Sequence, residues 1–236
     1  YKMENTMKLP SVALPKYQIH VPSTGERVFY RPFVVKEEKV LLIALESGEY
    51  PMIAKAIKDI VNACTYEQLD VETMPIFDIC YLFINIRAKS VGETVEPNLI
   101  CKSCKFKNPI EINLSEIQVM GDLEKDKTLK LGENVGMVLK YPALNTEEEV
   151  DGIDLSLNSI ADCIEMIFEG DSVFKAEDIK KEELVSFIEN LTHQQFENIL
   201  EVFAEMPRLC HTVNYTCSQC GGKNEVLLEG LGDFFL

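Results

Sequence analysis

The chain of 236 residues has no tryptophan and only three histidines, His20, His193 and His211. The histidines share no metal-ligand spacing and read as ordinary core or surface residues. Basic residues are scarce: 23 Lys and Arg face 39 Asp and Glu, a formal charge of -16. That argues against nucleic acid as the main partner, because phosphate binding requires a basic face and no Lys/Arg run with interleaved aromatics is present, and nucleic-acid binding is kept as an alternative reading. Long apolar runs are also missing. The longest, Val40-Leu41-Leu42-Ile43-Ala44, is far short of the roughly 18–20 residues of a membrane span. The start lacks the charged-then-apolar pattern of a secretory signal, so cytosolic synthesis is expected, with thiols kept reduced. There is no phosphate loop, His-Glu-x-x-His, nucleophile elbow or dinucleotide fingerprint. The acidic runs Glu147-Glu148-Glu149 and Lys180-Lys181-Glu182-Glu183 read as solvated helix starts rather than paired catalytic carboxylates. An enzyme is therefore not expected.

What is present is enough apolar sequence for a core, 46% against 26% charged, which sets the chain apart from disordered ones. Residues 1–20, with Pro10 and Pro15 in Leu-Pro steps, suit an extended arm, since a residue before proline prefers extended geometry. Val12, Leu14, Tyr17 and Ile19 would order it against its own domain or a neighbour. Val28 and Tyr30 alternate with Arg27, Phe29 and Arg31 in a strand ending at Pro32. Helices are predicted from about Lys36 to Ser47, with Gly48 at the end; over Met52–Cys64; and to about Lys89, capped by Thr73 with Pro75 in the first turn. Residues 121–127 form a polar linker. Gly132-Glu133-Asn134 marks a hairpin turn between Thr128–Leu131 and Val135–Tyr141. Further helices are expected over Leu157–Phe168, Lys180–Asn190 and His193–Glu205, the last opened by a Thr192/Gln195 capping box.

The two halves carry the same parts in the same order. Gly25-x-x-Val28-x-Tyr30 before Pro32 matches Gly136-x-Val138-x-x-Tyr141-Pro142 loosely, and each precedes an acidic helix start. Ile53-Ala54-x-x-Ile57-x-x-Ile60 matches Ile160-Ala161-x-x-Ile164-x-x-Ile167. Cys101-x-x-Cys104-x-x-x-Asn108 matches Cys217-x-x-Cys220-x-x-x-Asn224, each followed by a strand. The offsets are 111, 107 and 116 residues. A tandem duplication of a strand–helices–knuckle unit accounts for them. The expected organisation is an arm (1–20), a first repeat with knuckle 1 (21–120) and a second repeat with knuckle 2 (121–236).

Of the eight cysteines, four are paired as Cys-x-x-Cys. Two such pairs supply the four thiolates of a tetrahedral structural zinc site, so Cys101, Cys104, Cys217 and Cys220 are the candidate metal ligands, for one zinc per chain. The pairs are separated by 112 intervening residues, longer than in an ordinary zinc ribbon, and the duplication explains the gap. Gly221-Gly222 permits a tight knuckle turn, and Lys102, Lys105 and Lys223 offset thiolate charge. A redox pair and unligated thiols are the alternatives; a redox site needs one pair at a helix start, whereas both pairs here lead into strands. Cys64, Cys80, Cys163 and Cys210 read as small core hydrophobes, with Cys210 and His211 as an alternative ligand pair. Four thiolates leave no open coordination position, so the metal would be structural.

The string Tyr30-Arg31-Pro32-Phe33-Val34-Val35-Lys36-Glu37-Glu38-Lys39-Val40-Leu41-Leu42-Ile43-Ala44-Leu45-Glu46-Ser47, with the Leu-Pro arm before it and Arg87-Ala88-Lys89-Ser90-Val91-Gly92-Glu93 after it, resembles the baseplate protein family of T-even-type contractile-tailed phages. The resemblance covers residues 8–120 most clearly. It implies a subunit of the baseplate hub or central spike complex, or a factor that assembles the hub, and brings no functional residues with it. The expected protein is thus α+β and mostly helical, its halves joined by a four-cysteine zinc ribbon. It would act through contacts with hub or tape-measure proteins, without nucleic acid or membrane, as a homo-oligomer or not. It would work in the host cytoplasm during assembly, either staying in the virion tail or leaving as an assembly chaperone. Phe234-Phe235-Leu236 would be a docking tail or a tucked-in end.

Overall fold

The computed structural model describes residues 12–144, 156–230 and 232–235, with Phe234 and Phe235 described by backbone alone. The expected acidic helix start at Thr146–Glu149, most of the N-terminal arm and the side chains of the Phe-Phe-Leu end lie outside the described residues.

The chain opens with a hairpin of β1 (Tyr17–His20) and β2 (Arg27–Tyr30), Tyr17 opposite Tyr30. Three helices follow: α1 (Val35–Ser47), α2 (Tyr50–Cys64) and α3 (Ile76–Ser90). Glu37 accepts the Val34 N–H at 2.7 Å, closing the first turn of α1, and Gly48 ends the helix in the left-handed region at φ +67°. The expected cap of α3 is corrected. Pro75 holds the N-cap position, while the Thr73 hydroxyl donates to the Asp70 carboxylate at 2.9 Å; a local turn has captured the group that a cap needs.

Beyond α3 come β3 (Thr94–Val95), β4 (Asn98–Ile100), β5 (Lys107–Pro109) and β6 (Ile112–Asn113). They nest, with β3 paired to β6 around the β4–β5 hairpin. After a 3₁₀ turn and β7 (Gln118–Met120) come β8 (Thr128–Lys130) and β9 (Val135–Leu139), the expected hairpin. Next are α4 (Leu157–Asp162), β10 (Ile164–Glu169), β11 (Ser172–Lys175), α5 (Lys181–Glu189) and α6 (His193–Ala204). The Thr192/Gln195 box caps α6 as expected. β12 (Arg208–Thr216), β13 (Lys223–Glu229) and the short α7 (Gly232–Phe235) close the chain. Four strands pair in the order β11-β10-β9-β8 and three as β13-β12-β7.

The expected helix over Leu157–Phe168 is corrected. It stops at Asp162, and Ile164–Glu169 is a strand, antiparallel to β9. Ile164, Ile167 and Phe168 favour a pleated sheet once a partner edge is available, and β9 supplies that edge. The Phe168 ring lies against Gly136: a Cβ there would come within 2.2 Å of Phe168 Cζ and 2.7 Å of the Leu129 carbonyl oxygen. The isoleucine pattern shared with Ile53–Ile60 therefore covers two conformations, continuous helix in α2 and helix-then-strand here. Thirteen strands among the described residues, alongside the helices, make the fold mixed α/β.

Among the described residues, three apolar clusters form the core. The first packs Val28 and Tyr30 of β2 against Ile57, Ile60 and Val61 of α2 and Ile79, Leu82 and Ile86 of α3. In the second, Met137 and Leu139 of β9 and Ile164 of β10 meet Leu184, Ile188, Ile199 and Phe203. The third joins distant segments, setting Cys80 and Ile84 of α3 and Leu99, Ile112 and Leu114 against Leu209, Val213, Tyr215 and Leu228. α3 is apolar nearly all round because it serves two clusters. The third cluster positions the cysteines.

Candidate metal centre

Each Cys-x-x-Cys pair sits at the tip of an antiparallel hairpin, β4–β5 for the first and β12–β13 for the second. Within a tip the backbone turns back tightly. The Cys101 N–H donates to the Phe106 carbonyl at 2.9 Å and the Lys105 N–H to the Cys101 carbonyl at 3.0 Å; in the other tip Cys217 donates to Gly222 and Gly221 to Cys217, each at 2.9 Å. The turn requires one residue in the left-handed region. Gly221 takes it at φ +70°, and Lys105 takes the equivalent place at φ +61°, where a side chain is normally disfavoured.

The third cluster holds the tips face to face. The four sulfur atoms lie within 4.8 Å of one another, with Cys101 Sγ 3.7 Å from Cys220 Sγ and Cys104 Sγ 3.6 Å from Cys217 Sγ. Those separations are too long for disulfides. A regular tetrahedron of thiolates about one ion, with bonds of about 2.3 Å, has edges of about 3.8 Å. The sulfurs are thus spaced as a possible four-thiolate metal site. Cys101 and Cys217 are buried and Cys104 and Cys220 face outward.

Electrostatics splits the thiols. Cys101 is drawn down to about 6, foremost by the Cys104 N–H, with further N–H donation from Ser103 and Asn224, against the pull of burial. Cys217 is lowered in the same way, the Cys220 N–H being the largest cause. At Cys104 the Phe106 N–H pulls down, but desolvation and the crowding of Cys220, Cys217 and Cys101 push the thiol up to about 12. N–H donors thus favour thiolate at the two inner positions, the form that a metal ligand requires.

Two asparagines cross between the tips. Asn108, on β5 beside the first knuckle, accepts the Ser218 N–H at 2.9 Å and the Ser218 hydroxyl at 3.0 Å, and its Nδ2 lies 3.6 Å from Cys217 Sγ and 3.1 Å from the Phe106 carbonyl. Asn224, on β13, accepts the Lys102 N–H at 2.9 Å, with Nδ2 3.5 Å from Cys101 Sγ and 3.0 Å from the Gly222 carbonyl. Each of these contacts but the Ser218 hydroxyl bond recurs at the 116-residue offset. The sequence shows the asparagines as part of a shared spacing; their crossing roles become visible only in three dimensions. Of the lysines expected to offset thiolate charge, Lys102 donates its Nζ to the Glu225 carbonyl at 2.7 Å.

The remaining cysteines lie elsewhere. Cys64, Cys80 and Cys163 are buried and pushed up to about 12 by desolvation. Cys210 and His211 stand at the end of β12 remote from the knuckle, Cys210 opposite Glu229, and neither belongs to the sulfur cluster. A cleft of about 730 Å³ opens where the three apolar clusters meet, walled by Phe77, Tyr141, Phe203, Met206 and Leu209. Among the described residues no helix is long and apolar enough to cross a membrane.

Fold and site together define a mixed α/β protein whose distant segments meet at a four-cysteine cluster. The profile of the T4 bacteriophage base plate protein family matches residues 14–236, nearly the whole chain, and the chain belongs to that family. No curated protein and no solved structure matches it.

Proposed function

We propose that this baseplate protein is a subunit of the tail baseplate hub or a factor that assembles it. It acts by protein–protein contact, without catalysis, and its four cysteines hold one structural zinc. Family membership over residues 14–236 carries the reading. The structure supports a contact role through α1, whose Val35, Val40, Leu42 and Ile43 are all exposed; several exposed apolar side chains on one helix suit an interaction site. Zinc is supported by the four-sulfur spacing and by the type of ligand. The fall of the Cys-x-x-Cys-x-x-x-Asn spacing on two equivalent hairpins supports duplication of at least the knuckle unit, and we keep 21–120 and 121–236 as the two proposed repeats.

The test is co-expression with the phage's hub and tape-measure proteins, followed by pull-down and sizing. A stable complex with a hub protein is expected; no binding to either sinks the reading. Mass spectrometry of purified virions separates the two forms of the proposal, because a hub subunit is retained in the particle and an assembly chaperone is absent from it.

A further inference from the structure

We infer that Asn108 and Asn224 are positioning residues of the metal centre, each tuning and aiming the inner thiolate of the opposite knuckle. The inference rests on the four-thiolate reading of Cys101, Cys104, Cys217 and Cys220.

Both asparagines are buried, at 2% and 5% exposure, and a buried amide is costly unless its donors and acceptor are engaged. Here they are. The oxygen takes a backbone N–H from the opposite knuckle, from Ser218 or Lys102. That contact also decides which way the amide faces, since only an oxygen can accept there. The nitrogen is thereby turned toward the sulfur, with one hydrogen for the carbonyl of its own knuckle and one for the inner cysteine of the other. Each asparagine therefore ties two backbone segments and a ligand atom together across the gap between hairpins.

Donors to ligand atoms set ligand direction and electron density in metal sites. An N–H to a thiolate spreads its charge, which matters where four thiolates meet one divalent ion. Backbone N–H groups also reach the inner sulfurs, but from within the same knuckle. The asparagine donors alone among these come from the opposite hairpin, so they are in place only when both knuckles have docked. Half of the site therefore cannot mature by itself, and the metal reports the closure of the whole third cluster.

The test uses the full-length chain with Asn108→Asp and Asn224→Asp. Aspartate keeps the accepting oxygen and the shape but turns an acceptor toward the sulfur. Zinc affinity is read by competition with a chromophoric chelator, and the thiolate-to-metal charge-transfer band is read after cobalt substitution. Each variant is expected to lose roughly 10–100-fold in zinc affinity and to shift the cobalt band to lower energy, because a thiolate without its donor gives up charge more readily. A purely architectural role would leave the band in place. Affinity and band indistinguishable from wild type in both variants overturn the inference while leaving the zinc reading intact. A wild-type chain that takes up no zinc overturns both. If circular dichroism shows the aspartate variants unfolded even with excess zinc, Asn108→Ala and Asn224→Ala are measured instead against the same two criteria.

Discussion

Arg31 and Glu37 form a two-pronged ion pair at 2.9 and 2.7 Å, nearly buried beside the start of α1. The bond to Arg31 is the main reason that the Glu37 carboxyl sits below its ordinary 4.5. A carboxyl lowered by folding stabilises the folded state above its unfolded pKa and loses that contribution as pH falls through the folded value. Glu37→Gln is expected to cost about 1–3 kcal/mol at neutral pH, with the gap to wild type narrowing in acid, as urea melts across pH will show. Asp78 has the opposite sign: burial raises it despite the Ser23 backbone and hydroxyl donors. Its charged form weighs against folding as pH rises, so Asp78→Asn should melt no lower than wild type at neutral pH. The cysteines divide at the same scale. Iodoacetamide on the native chain should leave Cys64, Cys80, Cys163 and Cys210 unmodified, and addition of a chelator should confine labelling to the four knuckle cysteines, as read by peptide mass spectrometry.

Among the elements, α1 leaves several large apolar side chains exposed. Ala44 is buried, yet Leu42 and Ile43 remain 52% and 50% exposed, so the apolar run noted in the sequence is only partly consumed by folding. Leu42→Glu with Ile43→Glu should lower the melting temperature only modestly, because about half of each side chain is already exposed, while abolishing capture of the hub partner in a pull-down. Helices with a one-sided pattern or strong end signals were legible from sequence: α2, α6 with its capping box, and α1 with Gly48. The strand β10 was not, because Ile160, Ile164 and Ile167 have helical spacing, and a shift of register between Ile164 and Met166 is what lets Ile164 and Ile167 both be buried in a strand. Only the open edge of β9 settles the choice. The long strand β12 is poorly marked in the sequence, since its buried Leu209, Val213 and Tyr215 are interleaved with Arg208, His211 and Asn214, which carry no strong strand signal.

For the whole molecule, an ion held by the four clustered cysteines would tie residues near 101 to residues near 220. A cross-link closing a loop of about 100 residues removes roughly 4–5 kcal/mol of unfolded-chain entropy by the chain-entropy account. One zinc per chain is expected by elemental analysis. Chelation should lower stability by several kcal/mol, and Cys101→Ser and Cys217→Ser should each produce a similar loss. Hydrogen exchange should show where: amides of β4, β5, β12 and β13 lose protection first, while α2 and α6, in the first and second clusters, hold theirs longer. Uniform loss over all three clusters would mean that the cysteines do not govern the third one in particular.

The sequence by itself determined the repeated Cys-x-x-Cys-x-x-x-Asn pattern, because paired thiols at two-residue spacing with an asparagine four positions after the second are a local code for a knuckle. It also determined the net charge of -16 and most helix ends, since caps and turns depend on neighbouring residues. Tertiary structure decided what depends on residues far apart. It turned Ile164–Glu169 into a strand, gave α3 two faces to fill, and brought the two hairpins together. It also sent each asparagine to the opposite knuckle, a role that exists only once long-range packing has brought donors and sulfurs from residues more than a hundred positions apart within hydrogen-bond reach.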